Sequence, residues 1–353
     1  MAILLVLLAH MRFRLFGVGG IFPHATLEAI CEQGVIGVPV FFGISGLLIC
    51  SRLLEERRLR GEIDLRGFYL RRFFRILPPY FLLLAAIAGL GAYQGVRIAW
   101  SDLQACLGFY RNYVPGENAA SWYTAHFWSL AVEEHFYVLL PTLLVLCTTT
   151  RRAALFLLGL AAAVMVWRTT ANRISFVSED FLFLTYRTDI RLDGLLLGAL
   201  AAIALESDTW RERLRRWLAP TCVAAGVLLL ALAPWLQLPS RPTLTALLVP
   251  LILLGTLLRP ESSFGRFLEW APLRWIGRMS FSLYLWQQLF FTPLYQPMTD
   301  VPLPALLPAA LLTWPGNLLG LCVCAAASYY LVERPLTRLG RRIAAPATIG
   351  RAP

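Results

Sequence analysis

A few polar residues lie inside or beside long apolar runs, and these residues are the first candidates for chemistry. His10 lies near the end of the first apolar run, where a neutral imidazole can accept a proton from an attacking hydroxyl group. Glu133 lies well inside a later run, where a carboxylate is costly unless it is paired. Both residues are therefore candidates for catalysis. The alternative for His10, on its position alone, is a histidine at the membrane edge with no chemical role.

Three arginines crowd the start of another apolar run. Arg72 and Arg75 are three positions apart and share one face of a helix, and Arg71 lies beside them. Guanidinium groups next to a helix N-terminus form a natural phosphate site. An equally weighted alternative is a basic anchor for anionic lipid. Pro78 and Pro79 follow directly, and we expect them to interrupt or tilt the helix.

Small residues mark the second apolar run, GVPVFFGISGLLI at 37–49. Gly37, Gly43 and Gly46 allow close approach between membrane helices, and Ser45 can hydrogen-bond across such a contact. Ordinary helix packing explains this pattern by itself. Ser45 is also polar enough to line an internal cavity.

Charged residues enter the sixth and last apolar runs. Arg191 and Asp193 must face a polar cavity or a partner if they lie in the membrane. The alternative is that this helix begins only at Leu192. Glu333 and Arg334 close the last run, and their simplest interpretation is a surface ion pair of little energetic consequence.

The elements that position these residues are predicted to be transmembrane helices. Hydrophobic residues are 58% of the chain, charged residues 15%, and the mean hydropathy is +0.63. The apolar residues fall in runs of about 17–25, the length that crosses a bilayer. The prediction is an all-α polytopic membrane helix bundle of about ten transmembrane helices. Their predicted spans are 1–16, 35–53, 74–93, 126–147, 153–168, 188–206, 217–235, 243–258, 279–296 and 305–332.

The distribution of charge predicts orientation and excludes one class of partner. All 32 basic residues are arginines, and most lie in alternate short loops between apolar runs. The positive-inside rule then places the N-terminus and the C-terminus in the cytoplasm. We predict no nucleic-acid partner, because the charges do not form one basic surface. Residues 1–340 are predicted to be one membrane domain and 341–353 a short basic cytoplasmic tail that contains proline.

Seven segments, taken together and in this order, resemble the acyltransferase 3 family of integral membrane acyltransferases. They span nearly the whole chain. The segments are LLVLLAH at 4–10, GVPVFFGISGLLI at 37–49, FYLRRFFRILPPY at 68–80, FWSLAVEEHFYVLLP at 127–141, YRTDIRLDGLLLGALAA at 186–202, IGRMSFSLYLWQQ at 276–288 and SYYLVERPL at 328–336.

This resemblance implies an O-acyltransferase in the inner (plasma) membrane of a bacterium. It would move an acyl group, typically acetyl, from acyl-coenzyme A to a hydroxyl of a glycan, a lipid-linked sugar or a small molecule. Acyl-coenzyme A would be a co-substrate, with no bound cofactor and no metal, and membrane lipid would surround the bundle. The partners are thus lipid, acyl-CoA and the glycan or small-molecule acceptor.

The resemblance also implies roles for individual residues. His10 matches the family's essential histidine, as general base or transient acyl carrier, and Glu133 matches the acidic residue of the Trp-Ser-Leu stretch. Arg72 and Arg75 match the Arg-x-x-Arg pair, which with Arg71 would hold the donor phosphates. Candidates for lining the cavity are Ser45, Arg191, Asp193, Tyr284, Gln287 and Glu333.

Two positions depart from the family pattern. The family has an arginine eleven residues before its histidine, and the chain starts only nine residues before His10. We expect a misassigned start codon or a truncated chain. Gln287 stands where the family usually has histidine, and glutamine can hydrogen-bond but cannot shuttle a proton. No family-type esterase domain follows, so specificity is expected to come from the loops and the cavity.

Two other classes of function remain open at this stage. Intramembrane charges would suit a transporter or flippase for a glycan or lipid, although the hydropathy pattern has no inverted repeat. The two departures would also suit a catalytically inactive relative. Acyl transfer that depends on the donor would separate these classes.

Overall fold

The computed structural model describes residues 1–15, 33–175, 185–233, 236, 241–294 and 301–344. Its first half contains helices α1 Ala2–Leu15, α2 Gly37–Arg60, α3 Leu65–Gln94, α4 Trp100–Leu107, α5 Trp122–Ala125, α6 Phe127–Leu146 and α7 Thr150–Ser175. Its second half contains α8 Thr188–Arg191, α9 Asp193–Glu206, α10 Asp208–Trp217, α11 Pro220–Leu232, α12 Arg241–Leu257, α13 Ser263–Leu268, α14 Ala271–Arg278, α15 Ser280–Phe290, α16 Gly316–Ala327 and α17 Arg334–Ile343. The described chain holds no β-strand, which confirms the all-α prediction.

Helices of membrane-spanning length form the frame of the bundle. Within the described ranges, five helical segments are long and apolar enough to cross a bilayer, and a sixth counts if a pair bent by 69° is one span. The five are Gly34–Arg60, Leu65–Gln94, Ala119–Leu146, Thr150–Ala171 and Gly316–Ile343. The membrane bundle is thus confirmed, whereas the count of ten spans stays a prediction. The apolar helices α1 and α12 are shorter than 18 residues.

Local sequence signals explain where α3 begins and ends. The Asp64 carboxylate accepts a hydrogen bond from the Gly67 amide at 2.8 Å, which caps the first turn. Gly95 ends the helix with φ of 68°, a conformation that glycine adopts without strain. The helix continues through Pro78 and Pro79, so the interruption predicted as one of two outcomes is wrong, and a tilt of the helix stays a prediction. A membrane helix tolerates such prolines when neighbouring groups hydrogen-bond the backbone carbonyls that proline leaves without a partner.

The predicted sixth span is broken at its charged end. The short helix α8 ends at Arg191, and α9 begins at Asp193. This break agrees with the alternative in which the long helix begins near Leu192. Arg191 and Asp193 therefore lie at a helix junction, where their backbone and side chains meet polar partners.

Small residues hold α2 against its neighbours. A side chain at Gly46 would collide with the backbone of Leu195 in α9, and one at Gly198 would collide with the backbone of Gly43. Gly37 packs in the same way against Val6 of α1, where an added Cβ would lie 2.6 Å from a methyl carbon. The glycines of the 37–49 segment thus serve helix packing. That close packing places the next face of α2, which carries Ser45, toward a cavity.

Candidate active site

A large cavity opens between the helices that carry most of the predicted site residues. Its volume is about 940 Å³, and its walls come from α1, α2, α3, α6, α15 and α17. Six arginines and four glutamates are among its lining residues: Arg52, Arg60, Arg71, Arg72, Arg75, Arg341, Glu55, Glu56, Glu133 and Glu134. We call this space the arginine-lined cavity. An intramembrane space with this charge is suited to an anionic ligand.

The arginines of the cavity differ in whether a carboxylate already neutralises them. Arg71 and Arg60 both pair with Glu56, at 3.3 and 3.1 Å. Arg72 and Arg75 make no ion pair within the described residues. The Arg72 guanidinium instead lies 4.8 Å from the ring centre of Tyr137 and 5.7 Å from that of Phe68. Arg72 and Arg75 are thus the cations best able to bind a ligand.

Glu133 lies on the cavity wall, where its carboxylate is hydrogen-bonded. It accepts hydrogen bonds from the Tyr137 hydroxyl at 2.6 Å and the Ser45 hydroxyl at 3.2 Å. Arg72 and Arg75 are near enough to act on its charge. Because Tyr137 also stacks against Arg72, Glu133 orients the ring on which that guanidinium rests. The structure therefore joins Ser45, Glu133 and Arg72 in one cluster.

The inner part of the cavity contains hydroxyl groups. Tyr284 and Ser129 line it and hydrogen-bond to each other through their hydroxyls. The Tyr284 hydroxyl also lies 3.0 Å from the backbone carbonyl oxygen of His126. Tyr284, which the sequence marked as a cavity residue, thus lies at the inner wall.

His10 lies outside the residues that line this cavity. Ala2 and Ile3 of α1 line it, and His10 is about 10 Å farther along the helix axis than Ile3. Its Nδ1 atom lies 2.8 Å from the carbonyl oxygen of Val6, a contact that makes Nδ1 the donor and leaves the lone pair on Nε2. Its ring lies 6.3 Å from that of Trp122. The imidazole ring therefore lies next to Trp122, outside the arginine-lined cavity.

Arg191 and Asp193 line a separate cavity of only about 20 Å³. Asp193 pairs with Arg168 at 2.8 Å, and both side chains are almost fully buried. Arg191 donates from Nε to the backbone oxygen of Thr185 at 2.6 Å. These residues therefore form a closed polar junction between α7, α8 and α9.

Gln287 and Glu333 are buried but do not line the arginine-lined cavity. Gln287 is fully buried, with neither amide atom hydrogen-bonded within the described chain. Glu333 is 5% exposed and accepts a hydrogen bond from Ser282 at 2.7 Å. The surface ion pair considered for Glu333 and Arg334 is therefore wrong. Instead, Glu333 is close enough to Arg75 to act electrostatically.

Several residues of the site were not singled out from the sequence. Tyr137 lies within the 127–141 segment, and Glu56 lies in the charged stretch that follows the second apolar run. His126 directly precedes that segment and is 4% exposed. An intramembrane histidine next to the Trp-Ser-Leu stretch was the signal available for it. Burial raises the pKa of the Cys106 thiol to about 12, which suits an inert cysteine.

Comparison with known proteins gives one family and several relatives. The profile of the family described as "Acyltransferase domain", acyltransferase 3, matches residues 1–333. The O-acetyltransferase OatA of Staphylococcus aureus is 25% identical over 350 residues, which cover 93% of this chain and 56% of that protein. The peptidoglycan O-acetyltransferase OatA of Listeria monocytogenes is 26% identical over 334 residues, which cover 88% and 52%.

A third relative is YrhL of Bacillus subtilis, which carries a provisional name as a peptidoglycan O-acetyltransferase. It is 28% identical over 361 residues, which cover 92% of this chain and 55% of YrhL. The chain thus spans about half the length of the curated relatives it matches. No solved structure gives a significant match.

Proposed function

Because the chain belongs to the acyltransferase 3 family, we propose that it is a bacterial membrane O-acetyltransferase. Its donor would be acetyl-coenzyme A, and its acceptor a hydroxyl group of a glycan. The observation that carries this proposal is the arginine-lined cavity, which Arg72 and Arg75 line without a carboxylate partner among the described residues.

The donor fits this cavity in charge and in shape. Arg72 and Arg75, with Arg341 of the adjacent helix α17, would bind the phosphates of coenzyme A. Apolar side chains such as Phe41, Phe42 and Leu130 line the same space and would contact the pantetheine arm. The thioester would then extend past Ser129 and Tyr284 at the inner wall, so that its carbonyl carbon meets the acceptor hydroxyl at His10.

The orientation and the acceptor follow from the charge pattern and the relatives. The positive-inside rule places the arginine-rich mouth in the cytoplasm, where coenzyme A thioesters are made, and both termini on that side of the inner membrane. His10, on the other side of the inner wall, would then face an acceptor from outside. The names of the relatives from Listeria monocytogenes and Bacillus subtilis support peptidoglycan as the glycan.

The chemistry is the attack of an acceptor hydroxyl on the thioester carbonyl. His10 Nε2 takes the hydroxyl proton while the new C–O bond forms. The C–S bond then breaks, its electron pair goes to sulfur, and the thiolate takes the proton that His10 holds, which gives coenzyme A and restores the neutral imidazole. Arg72 and Arg75 hold the donor throughout, and Glu133 keeps Tyr137 and Ser45 in place beside them.

We would test this proposal with the purified protein in lipid nanodiscs. Binding of acetyl-CoA is measured by calorimetry, and transfer of radiolabelled acetyl to peptidoglycan fragments is measured in proteoliposomes. The double variant Arg72→Ala, Arg75→Ala should weaken donor binding about 100-fold or more, since each charged contact is worth roughly 1.5–3 kcal/mol. His10→Ala should abolish transfer and retain donor binding.

The matched control removes the same charge from an exposed helix. Arg213 and Arg216 of α10 lie outside the cavity, so Arg213→Ala, Arg216→Ala should bind acetyl-CoA like the wild type. Equal weakening in both double variants would mean that bulk charge, and not the cavity, attracts the donor. A wild type that binds no acetyl-CoA would contradict the proposal.

A further inference from the structure

The helix α10, Asp208–Trp217, lines neither cavity and is strongly charged for a membrane protein. Its residues include four arginines and two acidic residues, and none of them is buried. A segment with this many charges is costly inside the hydrocarbon layer of a membrane. Of the bent pair α10 and α11, only α11 is therefore apolar enough to enter that layer.

The direction of α11 sets the direction of α10. α11 has no charged residue, and several of its aliphatic side chains are exposed, among them Leu228 at 59% and Leu232 at 43%. An apolar helix with an exposed apolar surface is typical of a membrane segment that contacts lipid. Because the two helices meet at an angle of 69°, α10 then runs nearly along the membrane surface.

Hydrogen bonds hold both ends of α10 in this direction. The Ser207 hydroxyl accepts a hydrogen bond from the Trp210 amide at 3.4 Å and caps the first turn. At the other end, the Arg259 guanidinium donates to the backbone oxygens of Leu218, at 2.9 Å, and Arg215. The last carbonyl groups of a helix have no partner within it, so a cation at this position stabilises the bend.

One face of α10 is apolar and extends beyond the protein beneath it. Trp210, Leu214 and Trp217 are four and three positions apart, so they share this face. Leu214 packs against the hydrophobic core, whereas Trp210 and Trp217 are 48% and 68% exposed. Tryptophan is enriched where a membrane meets water, because its ring is apolar and its N–H is polar. The two exposed rings are thus suited to the headgroup level of a bilayer.

The arginines of α10 give this helix a positive charge. Four arginines and two acidic residues leave a net charge of +2. Two of the arginines form ion pairs within the helix, at 2.8 and 3.1 Å, whereas Arg213 and Arg215 form none among the described residues. The Arg213 guanidinium lies 5.4 Å from the ring centre of Trp210, beside the exposed face. A cation beside an interfacial ring can bind the phosphate group of a lipid.

α10 lies at the end of the bundle where the arginine-lined cavity has its mouth. An added Cβ at Gly194, early in α9, would lie 3.4 Å from the Cβ of Phe42 in α2. About one turn later in both helices, an added Cβ at Gly46 would lie 3.1 Å from the backbone nitrogen of Ala199. The two helices therefore run in the same direction. The end of α2 carries Arg60, which lines the cavity, and α10 follows the end of α9 directly.

We propose that α10 is an interfacial helix that binds anionic phospholipid in the leaflet at the mouth of the arginine-lined cavity. Helices with arginine on one face and tryptophan on the other bind such membrane surfaces through apolar burial and through attraction to the headgroups. The bend, the exposed tryptophans and the arginines without a carboxylate all fit this one occupant. The lipid contact does not depend on acyl transfer.

Native mass spectrometry of the full chain in detergent tests the charge of the lipid. We expect phosphatidylglycerol, which is anionic, to bind about tenfold or more tightly than phosphatidylcholine with the same acyl chains. Most of this preference should be lost in Arg213→Gln, Arg215→Gln, because each arginine near an anionic lipid surface contributes a factor of roughly five. A wild type without the preference would overturn the proposal.

Two control variants separate α10 from other basic parts of the protein. Arg151 and Arg152 are exposed at the same end of the bundle, where the last turn of α6 contacts Arg57. Arg151→Gln, Arg152→Gln should keep the preference, and an equal loss in this variant would show that bulk charge attracts the lipid. Arg72→Ala, Arg75→Ala should keep it too, since a loss there would place the lipid in the cavity. Either loss would overturn the proposal.

The depth of α10 in a lipid nanodisc is an independent test. The fluorescence that disappears in Trp210→Phe, Trp217→Phe reports on these two rings. Lipids brominated near the headgroup should quench this component more than lipids brominated at the chain ends, because the rings lie at the interface. No quenching by either lipid would mean that the rings face water or another protein, and stronger quenching from the chain ends would place them in the hydrocarbon layer. Both results would contradict an interfacial helix.

Discussion

Two groups of arginines in this bundle look alike in the sequence and differ in their surroundings. Arg168 is closed by Asp193 at 2.8 Å and donates to the Ile190 carbonyl at 2.9 Å. Arg111 is closed by Asp102 at 3.4 Å and donates to Thr124. In contrast, the Arg72 guanidinium packs on a tyrosine ring and has no carboxylate partner within the described chain. We call an arginine with a carboxylate partner closed and an arginine without one open.

The comparison shows that burial of an arginine does not mark a binding site by itself. A closed arginine cannot bind a ligand without breaking its ion pair, so the ion pair serves to join helices. Open arginines such as Arg72 and Arg75 keep a charge that a ligand can neutralise. Substitution should therefore affect a different property in each group. Loss of a closed arginine should reduce the stability of the fold, and loss of an open arginine should reduce the affinity for the donor.

The largest effect on stability is expected from Arg168→Ala. The substitution leaves the Asp193 carboxylate buried without its partner, which costs roughly 3–5 kcal/mol. It also removes the bond to Thr243 that joins α7 to α12. Thermal unfolding in detergent should show a strongly lowered Tm, while the folded fraction at low temperature should still bind acetyl-CoA.

The double variant Arg168→Met, Asp193→Leu is the control for this prediction. It removes both charges, so no unpaired ion remains, and most of the lost stability should return. A single variant as stable as the wild type would show that the pair contributes nothing. Loss of donor binding in the folded single variant would place Arg168 with the open arginines.

The sequence predicted most helices correctly, but it did not predict the buried ion pairs between arginine and aspartate. Most predicted spans overlap a described helix, because bilayer thickness imposes a length that a sequence displays directly. The predicted last span, 305–332, is wrong in its first part, since that helix begins only at Gly316. Asp193 and Arg191 were predicted to line the cavity. The partner of Asp193 is Arg168 of α7, and no spacing rule relates the two residues.

The candidate site shows the same division. Motif positions such as Arg72, Arg75, Ser45 and Glu133 converge on one cavity, and the resemblance to a family was enough to select them. The contacts that each residue makes could not be predicted, because they join different helices, as the hydrogen bond from Ser45 to Glu133 does. Glu333 was predicted to lie at the surface. It is buried, because the helical turn Ser328–Glu333 places its carboxylate within hydrogen-bond distance of Ser282.

An intermediate effect is expected from Arg72→Lys, which tests what an open arginine supplies. Lysine keeps the charge but loses the planar fork and the stacking on Tyr137. Donor affinity should fall about tenfold, with no change in Tm. Tm is the control readout here. A lysine variant with wild-type affinity would mean that charge alone holds the donor, and a lowered Tm would place Arg72 among the closed arginines.

The smallest effect is expected from Glu56→Gln, which converts closed arginines of the cavity into open ones. Glu56 holds Arg71 and Arg60 at the mouth, and its side chain is only 11% exposed. Without its charge, both guanidinium groups can turn toward the donor phosphates, and affinity for acetyl-CoA should rise about two- to fivefold. Glu55→Gln is the matched control, because Glu55 lines the same cavity and its one ion pair within the described ranges is with the exposed Arg52, at 3.7 Å. It should change affinity less. A weaker affinity in Glu56→Gln would show instead that the pair orients Arg71 for the donor, and Arg71 would then belong with Arg72 and Arg75.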